Sequence, residues 1–203
     1  MSKFIGISGP TCTYKSTIHA LLKKVLPTDP KIVYLDDIHD TVWNNLVKSG
    51  VFFNYQELTS DRDYLLMYIS KLIDYYASQI EKYKYTDNIV IMDGCIVDIL
   101  VYSMLNTWYH YPVKEYTEKL MEKLLKYMDY IDNVFITIPD KNNEEKLQYS
   151  RRAQQTAFKK NRPLECSYYN IAGGLRICTK LTSDIVSNAN IIKEKVLEYV
   201  ALL

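Results

Sequence analysis

The sequence lacks a charge bias. Its 25 Lys and Arg stand against 24 Asp and Glu, a formal net charge of +1, so no general field draws nucleic acid or a membrane surface, and any polyanion site has to be a local cluster. It also lacks paired cysteines. Cys12, Cys95, Cys166 and Cys178 are scattered without a C-x-x-C spacing, which argues against a disulfide framework or zinc site and implies a reduced, cytoplasmic protein. No apolar run reaches the roughly 18 residues of a membrane helix, and no leader pattern opens the chain. Glycine is sparse, six in 203 residues, and one is missing where a motif asks for it.

What is present suits one core. With 203 residues, 48% hydrophobic, the chain can bury a single α/β core but not two comfortable ones, so residues 1–203 are expected to form one domain. The 19 tyrosines could offer base-stacking surfaces; the commoner case is a half-buried ring with a wet hydroxyl, and most are read that way.

The chain is organised around Lys3 to Thr17. Phe4 to Ile7 form an apolar run that predicts a strand, and Ile18, Leu21, Leu22, Val25 and Leu26 recur at helical spacing until Pro27. Between them Gly9, Lys15 and Ser16 hold the spacing of the phosphate-binding loop G-x-x-x-x-G-K-[ST], with Tyr14 in place of its second glycine. Backbone N–H groups over Gly9, Thr11, Cys12, Thr13, Tyr14, Lys15, Ser16 and Thr17 are the candidate cradle for phosphate oxygens at a helix N-terminus. Lys15 would meet the β- and γ-phosphates, and the Ser16 hydroxyl would join a Mg²⁺ shell. Tyr14 leaves two readings open: its side chain points away harmlessly, or nucleotide binding is weakened.

The strand ends supply acids. Lys31 to Leu35 predict a second strand ending at Asp36 and Asp37, which face the cleft of a parallel sheet as candidate base or substrate ligands; a helix N-cap is the competing reading. Thr41 to Tyr55, with Trp43, Phe52, Phe53 and Tyr55, suits a substrate lid, although core packing accounts for the aromatics equally well. A helix follows from Asp61, with Leu65, Ile69, Leu72, Ile73, Tyr76 and Ile80 as its stripe and Arg62 at its start as a candidate substrate contact. Asn88 to Asp93 is an apolar run closing on an acid, the arrangement in which a carboxylate serves Mg²⁺, and Gly94 permits a sharp exit. Helices are predicted over Asp98 to Trp108 and from about Val113 to Met128, and a fourth strand over Asn133 to Ile138. Arg151, Arg152, Lys159, Lys160 and Arg162 make the one strongly basic tract, on a helix starting near Asn142. A solvated face is the ordinary explanation, but its place after the fourth strand suits a lid over a nucleotide. Ser183 to Asn188 are read as a short fifth strand before a closing helix with Ile192, Val196, Tyr199 and Val200. His19 and His110 show no partner pattern for a metal or nucleophilic role.

These residues resemble the P-loop small-molecule kinases, and among them the uridine kinase and nicotinamide riboside kinase branch. The likeness rests on Ile7-Ser8-Gly9 through Lys15-Ser16-Thr17, Val33-Tyr34-Leu35-Asp36-Asp37, Val90-Ile91-Met92-Asp93-Gly94, Arg151-Arg152 with Arg162, and Asp184-Ile185-Val186 with Asn188, which looks like the final strand of many such kinases. Departures are Tyr14, Asp93 in place of the commoner Glu, Gln155 in place of a lid Arg, and Ile38-His39 in place of an aromatic pair.

The resemblance implies an α/β fold, a P-loop NTPase-type five-stranded parallel sheet with helices on both faces and an Arg-rich lid at about 141–165. It implies ATP- and Mg²⁺-dependent phosphoryl transfer to a hydroxyl of a nucleoside or similar small molecule. Asp36 would be the base, Ser16 and Asp93 would serve the metal, and Lys15, Arg151, Arg152 and Arg162 would steady the transferring group. Alternatives are a thymidylate-type monophosphate kinase, disfavoured because Gly94 rather than Arg follows Asp93, a polynucleotide 5′-hydroxyl kinase, unsupported by the neutral charge, and a degenerate nucleotide-binding protein, motivated by Tyr14. The expected partner is a nucleoside-like small molecule and not a membrane, with a homodimer left open.

Overall fold

Each strand is a short apolar run, and the long amphipathic stretches between them become helices. The structure, a computed structural model, describes residues 1–10, 13–51, 62–101, 114–137, 168, 170 and 174–203, without the side chains of 62 and 114–117. In chain order it contains β1 (Lys3–Ser8), α1 (Lys15–Val25), β2 (Ile32–Leu35), α2 (Ile38–Lys48), α3 (Arg62–Tyr83), β3 (Ile89–Asp93), α4 (Lys114–Met128), β4 (Asn133–Ile136), β5 (Cys178–Lys180) and α5 (Ile185–Leu202). A further helical stretch occupies 96–101. The strands form one five-stranded sheet in the order β2-β3-β1-β4-β5, and every pair is parallel. The P-loop NTPase-type α/β architecture expected from the sequence is present.

Alternation along the strands divides the core into two layers. Phe4, Val90, Met92, Val134 and Ile136 face α2, α3 and α4, where Val42, Leu46, Leu72, Tyr76 and Leu124 are buried. Ile5, Ile7, Ile89, Ile91 and Phe135 face α1 and α5, packing on Ile18, Leu22, Ile192 and Val196. The six predicted stripe residues of α3 are all buried, Leu65 being the most exposed at 7%. Burying each such side chain contributes roughly 1.5–3 kcal/mol, so these two faces dominate the fold's stability.

Two sequence expectations are corrected. Ser183 to Asn188 do not form the fifth strand: Asp184 caps α5, its carboxylate accepting from Ser187 N–H at 2.5 Å, and Val186 is 61% exposed on the helix. Asn188 is buried because its side chain clasps Thr182, accepting from the backbone N–H at 2.9 Å and donating to the carbonyl at 2.8 Å. The fifth strand is Cys178–Lys180, a half-exposed edge against β4 with no apolar run to announce it. Nor is Thr41 to Lys48 a lid. These residues lie in α2, where Val42 and Leu46 enter the core and Trp43 meets Tyr68 of α3 edge-on at 6.3 Å. Phe52, Phe53 and Tyr55 lie outside the described residues.

Candidate active site

Register gathers the predicted residues at one end of the sheet. Ile7 lies opposite Asp93, Ser8 opposite Ile136 and Leu35 opposite Met92. The loop after β1, Asp93, and the Asp36-Asp37 pair therefore emerge together at the carboxyl ends of the strands, where parallel sheets bind ligands. The connection leaving β1 runs toward β2 and the one leaving β3 runs toward β4. This reversal opens the crevice beside β1.

Gly9 is required by close approach. Its φ is 143°, and a Cβ there would lie 2.2 Å from Thr137 Oγ1 and 2.8 Å from the Thr137 carbonyl. Thr137 follows β4 and is fully buried; its N–H and hydroxyl both donate to the Ser8 carbonyl, at 2.8 and 3.0 Å. Its hydroxyl also lies 2.5 Å from that of Thr13, which donates to the Pro10 carbonyl at 2.7 Å. The loop is thus fastened to the end of β4.

Tyr14 occupies the second glycine's conformation. Its φ of 65° and ψ of 19° are left-handed, and it is the one non-glycine residue with positive φ among those described. A side chain in that region costs about 1–2 kcal/mol. Tyr14 itself keeps the backbone conformation a glycine would take there, and its carbonyl still accepts the first bond of α1, from Ile18 at 2.9 Å. The Lys15 ammonium folds back over the loop and donates to the Gly9 and Pro10 carbonyls at 2.8 and 3.0 Å. Ser16 and Thr17 follow in the first turn of α1.

The acids divide into two environments. Asp93 is 3% exposed, and burial pushes its carboxyl up to about 6, with the Asp37 and Asp98 charges adding and the Ser16 hydroxyl and Lys15 charge opposing. Its Oδ1 has no hydrogen-bond partner among the described residues. Asp37 caps α2, accepting from His39 and Asp40 N–H at 2.8 and 3.2 Å. Asp36 differs. Its side chain is 79% exposed and pairs with Lys23 of α1 at 2.8 Å, and that bond holds its carboxyl below the usual range. Of the two neighbours, Asp37 is the one whose charge acts on Asp93.

A family model described as an AAA domain matches residues 4–164. The chain belongs to the AAA domain family. This AAA domain is similar in structure to a thymidylate kinase from Ehrlichia chaffeensis, at 20% identity and a TM-score of 0.61 over 97% of this chain and 98% of that one. It is also similar to a deoxyadenosine kinase from M. mycoides, at 12% identity and a TM-score of 0.67 over 96% and 99% of the two chains. At such identities the likeness is one of fold. No curated protein matches the sequence.

The residues of this AAA domain fit a magnesium ion carried with a nucleotide. The unpartnered Asp93 Oδ1 and the adjacent Ser16 hydroxyl are hard oxygen donors beside the loop between β1 and α1. No cluster of three or more His, Cys, Asp or Glu able to hold a metal occurs among the described residues. Magnesium needs no such cluster, because it keeps waters and takes one or two protein ligands plus phosphate oxygens.

Thr11, Cys12, Arg151, Arg152 and Arg162 lie outside the described residues, and Arg62 is placed only as the first residue of α3. Three buried residues escaped the sequence reading: Thr137, Tyr168 and Asp98. Asp98 had one available signal, a lone acid within Ile96-Val97-Asp98-Ile99-Leu100-Val101. Cys95 and Cys178 are free thiols, and burial pushes Cys178 up to about 11. Among the described residues no helix is long and apolar enough to cross a membrane.

Proposed function

We propose that the protein is an ATP- and Mg²⁺-dependent kinase that transfers the γ-phosphoryl group to a hydroxyl of a nucleoside or a closely similar small molecule. The observation that carries this reading is the buried, unpartnered Asp93 Oδ1 beside Ser16, next to a turn in which Tyr14 holds the left-handed conformation that favours glycine. A chance strand-turn-helix has no reason to bury a carboxylate there.

The loop N–H groups and the start of α1 would hold the phosphates by converging dipoles. Lys15, now resting on Gly9 and Pro10 carbonyls, is within the loop it would serve and would exchange them for phosphate oxygens. Ser16 and Asp93 would hold Mg²⁺, which when bound neutralises charge on the β- and γ-oxygens. We assign the substrate hydroxyl to Asp37 in preference to Asp36, because Asp37 lies where its charge acts on Asp93 while Asp36 is exposed and paired with Lys23. Arg151, Arg152 and Arg162 are proposed to offset charge on the transferring group, with Arg62 at the acceptor. Residues 1–203 would then act as one kinase domain with a lid at about 141–165.

The fold shared with a deoxyadenosine kinase and a thymidylate kinase suits acceptors with or without a phosphate. Gly94, directly after Asp93, leaves no guanidinium at that position to meet an acceptor phosphate, which favours the free nucleoside and the uridine kinase or nicotinamide riboside kinase branch. The deciding experiment is ATP turnover against nucleosides, nucleoside monophosphates and 5′-hydroxyl oligonucleotides. Turnover with nucleosides is expected. Turnover confined to monophosphates or oligonucleotides would overturn the acceptor assignment.

A further inference from the structure

We propose that Asp98 is a positioning residue for nucleotide binding: from beneath the phosphate loop it fixes the Ser8–Gly9 peptide, and through Tyr168 it links that peptide to the chain beyond the basic tract. The inference rests on the kinase reading and adds a residue that touches neither phosphate nor acceptor.

Asp98 is 1% exposed. Its Oδ2 accepts from the Ser8 hydroxyl and the Cys95 N–H, each at 2.8 Å. Its Oδ1 accepts from the Tyr168 hydroxyl at 2.6 Å and the Gly9 N–H at 3.3 Å. These four donors are all neutral, and none is a cation. A buried carboxylate is costly unless its oxygens are met, and neutral donors meet it less fully than a guanidinium would. Two of the donors belong to the phosphate loop's first residues, one to the turn after β3, and one to a fully buried tyrosine 70 residues away.

The consequence falls on one peptide plane. The Ser8 carbonyl is held by Thr137 N–H and Oγ1, at 2.8 and 3.0 Å, while the Gly9 N–H on the other side of the same plane is held by Asp98. With both ends tied, the plane cannot rotate. That rotation would swing the next carbonyl, Gly9 O, which is where the Lys15 ammonium rests at 2.8 Å. Asp98 therefore acts on the phosphate-binding lysine through one residue of backbone. Tyr168 acts in turn on Asp98, since it shares Oδ1 with Gly9 N–H; losing its hydroxyl leaves that oxygen underfilled and free to re-aim.

The test compares wild type with Tyr168→Phe, Ser8→Ala and the double variant, none of which removes a group assigned to phosphate, metal or acceptor. ATP affinity is measured by calorimetry with Mg²⁺ present, and the acceptor KM from turnover, alongside Tm. Tyr168→Phe is expected to weaken ATP about tenfold, the effect of one hydrogen bond to a charged group, with the acceptor KM unchanged. The double variant should lose less than the product of the single losses, because both hydroxyls act through one carboxylate. Variants with lowered Tm but ATP affinity within about twofold of wild type would overturn the inference and leave the kinase reading standing. Wild type that binds no nucleotide would overturn both.

Discussion

The carboxylate of Asp36 pairs with the Lys23 ammonium at 2.8 Å, while its neighbour Asp37 caps α2 and sends its charge toward Asp93. The two acids that sequence places side by side thus serve different surroundings. Asp36→Asn is expected to leave kcat within about threefold, since an exposed ion pair is worth at most about 1 kcal/mol. Asp37→Asn should lower kcat by roughly 10²–10⁴, the usual share of a general base. Asparagine is itself a good N-cap, so the fold should survive the second change. Steady-state kinetics and Tm on both variants check this, and equal losses of kcat would refute the division of roles.

Tyr14 sits at φ 65°. Tyr14→Gly relieves a left-handed side chain but frees the unfolded chain, so a net gain of up to about 1 kcal/mol in denaturant unfolding is expected. Because Tyr14 already holds the glycine conformation, ATP affinity should stay within about threefold. A large rise in affinity would mean that the tyrosine side chain itself obstructs nucleotide.

Asp93→Asn should separate stability from function. The carboxyl titrates near 6 in the folded state against about 3.9 in an unfolded chain. A raised acid pKa means the folded state holds its proton more tightly, so the charged form costs stability above pH 6, and this cost fades as pH falls from about 6 toward 4. At pH 7.5 the ligand-free Asn variant should be more stable by about 1–3 kcal/mol, while Mg²⁺-dependent turnover collapses. Denaturant titrations at pH 7.5 and 5 test both halves: the stability gain should shrink at the lower pH.

His19, one turn beyond Lys15, provides a pH signal of the opposite sign. It is 3% exposed, meets Tyr34 edge-on at 5.6 Å, and burial lowers its pKa from the ordinary value. A depressed histidine contributes stability that is fully present above the unfolded pKa of about 6.5 and is lost as pH falls below it. Stability of wild type should therefore decline more steeply between pH 6.5 and 5 than that of His19→Gln. Parallel curves would show that His19 does not titrate in this way.

The legible parts of this molecule are those written locally. The runs in β1, β3 and β4 are continuously apolar because the strands are buried on both faces, and α3 keeps its stripe because it packs on one side only. The positions of Lys15 and Ser16 were legible because the turn between β1 and α1 sets their spacing from Gly9, and that of Asp93 because it closes the apolar run of β3. β5 was misplaced because an edge strand held by its ladder to β4 needs no apolar run, whereas Ile185-Val186 after a capping Asp imitates one. Asp98, Thr137 and Tyr168 were not legible as partners of the loop, since the contacts that define them cross 70 residues or more in sequence. No local pattern encodes which donor a buried acid will meet.

In the proposed reaction the loop around Lys15 delivers the phosphoryl group of ATP to a nucleoside hydroxyl. The most direct measurement is formation of nucleoside monophosphate from ATP and a panel of nucleosides, by wild type and Lys15→Ala, with circular dichroism confirming that both are folded. Product from wild type, cut by at least about 10²-fold in Lys15→Ala, is the expected result. A folded wild type that phosphorylates no nucleoside, or a Lys15→Ala variant that works as well as wild type, would contradict it.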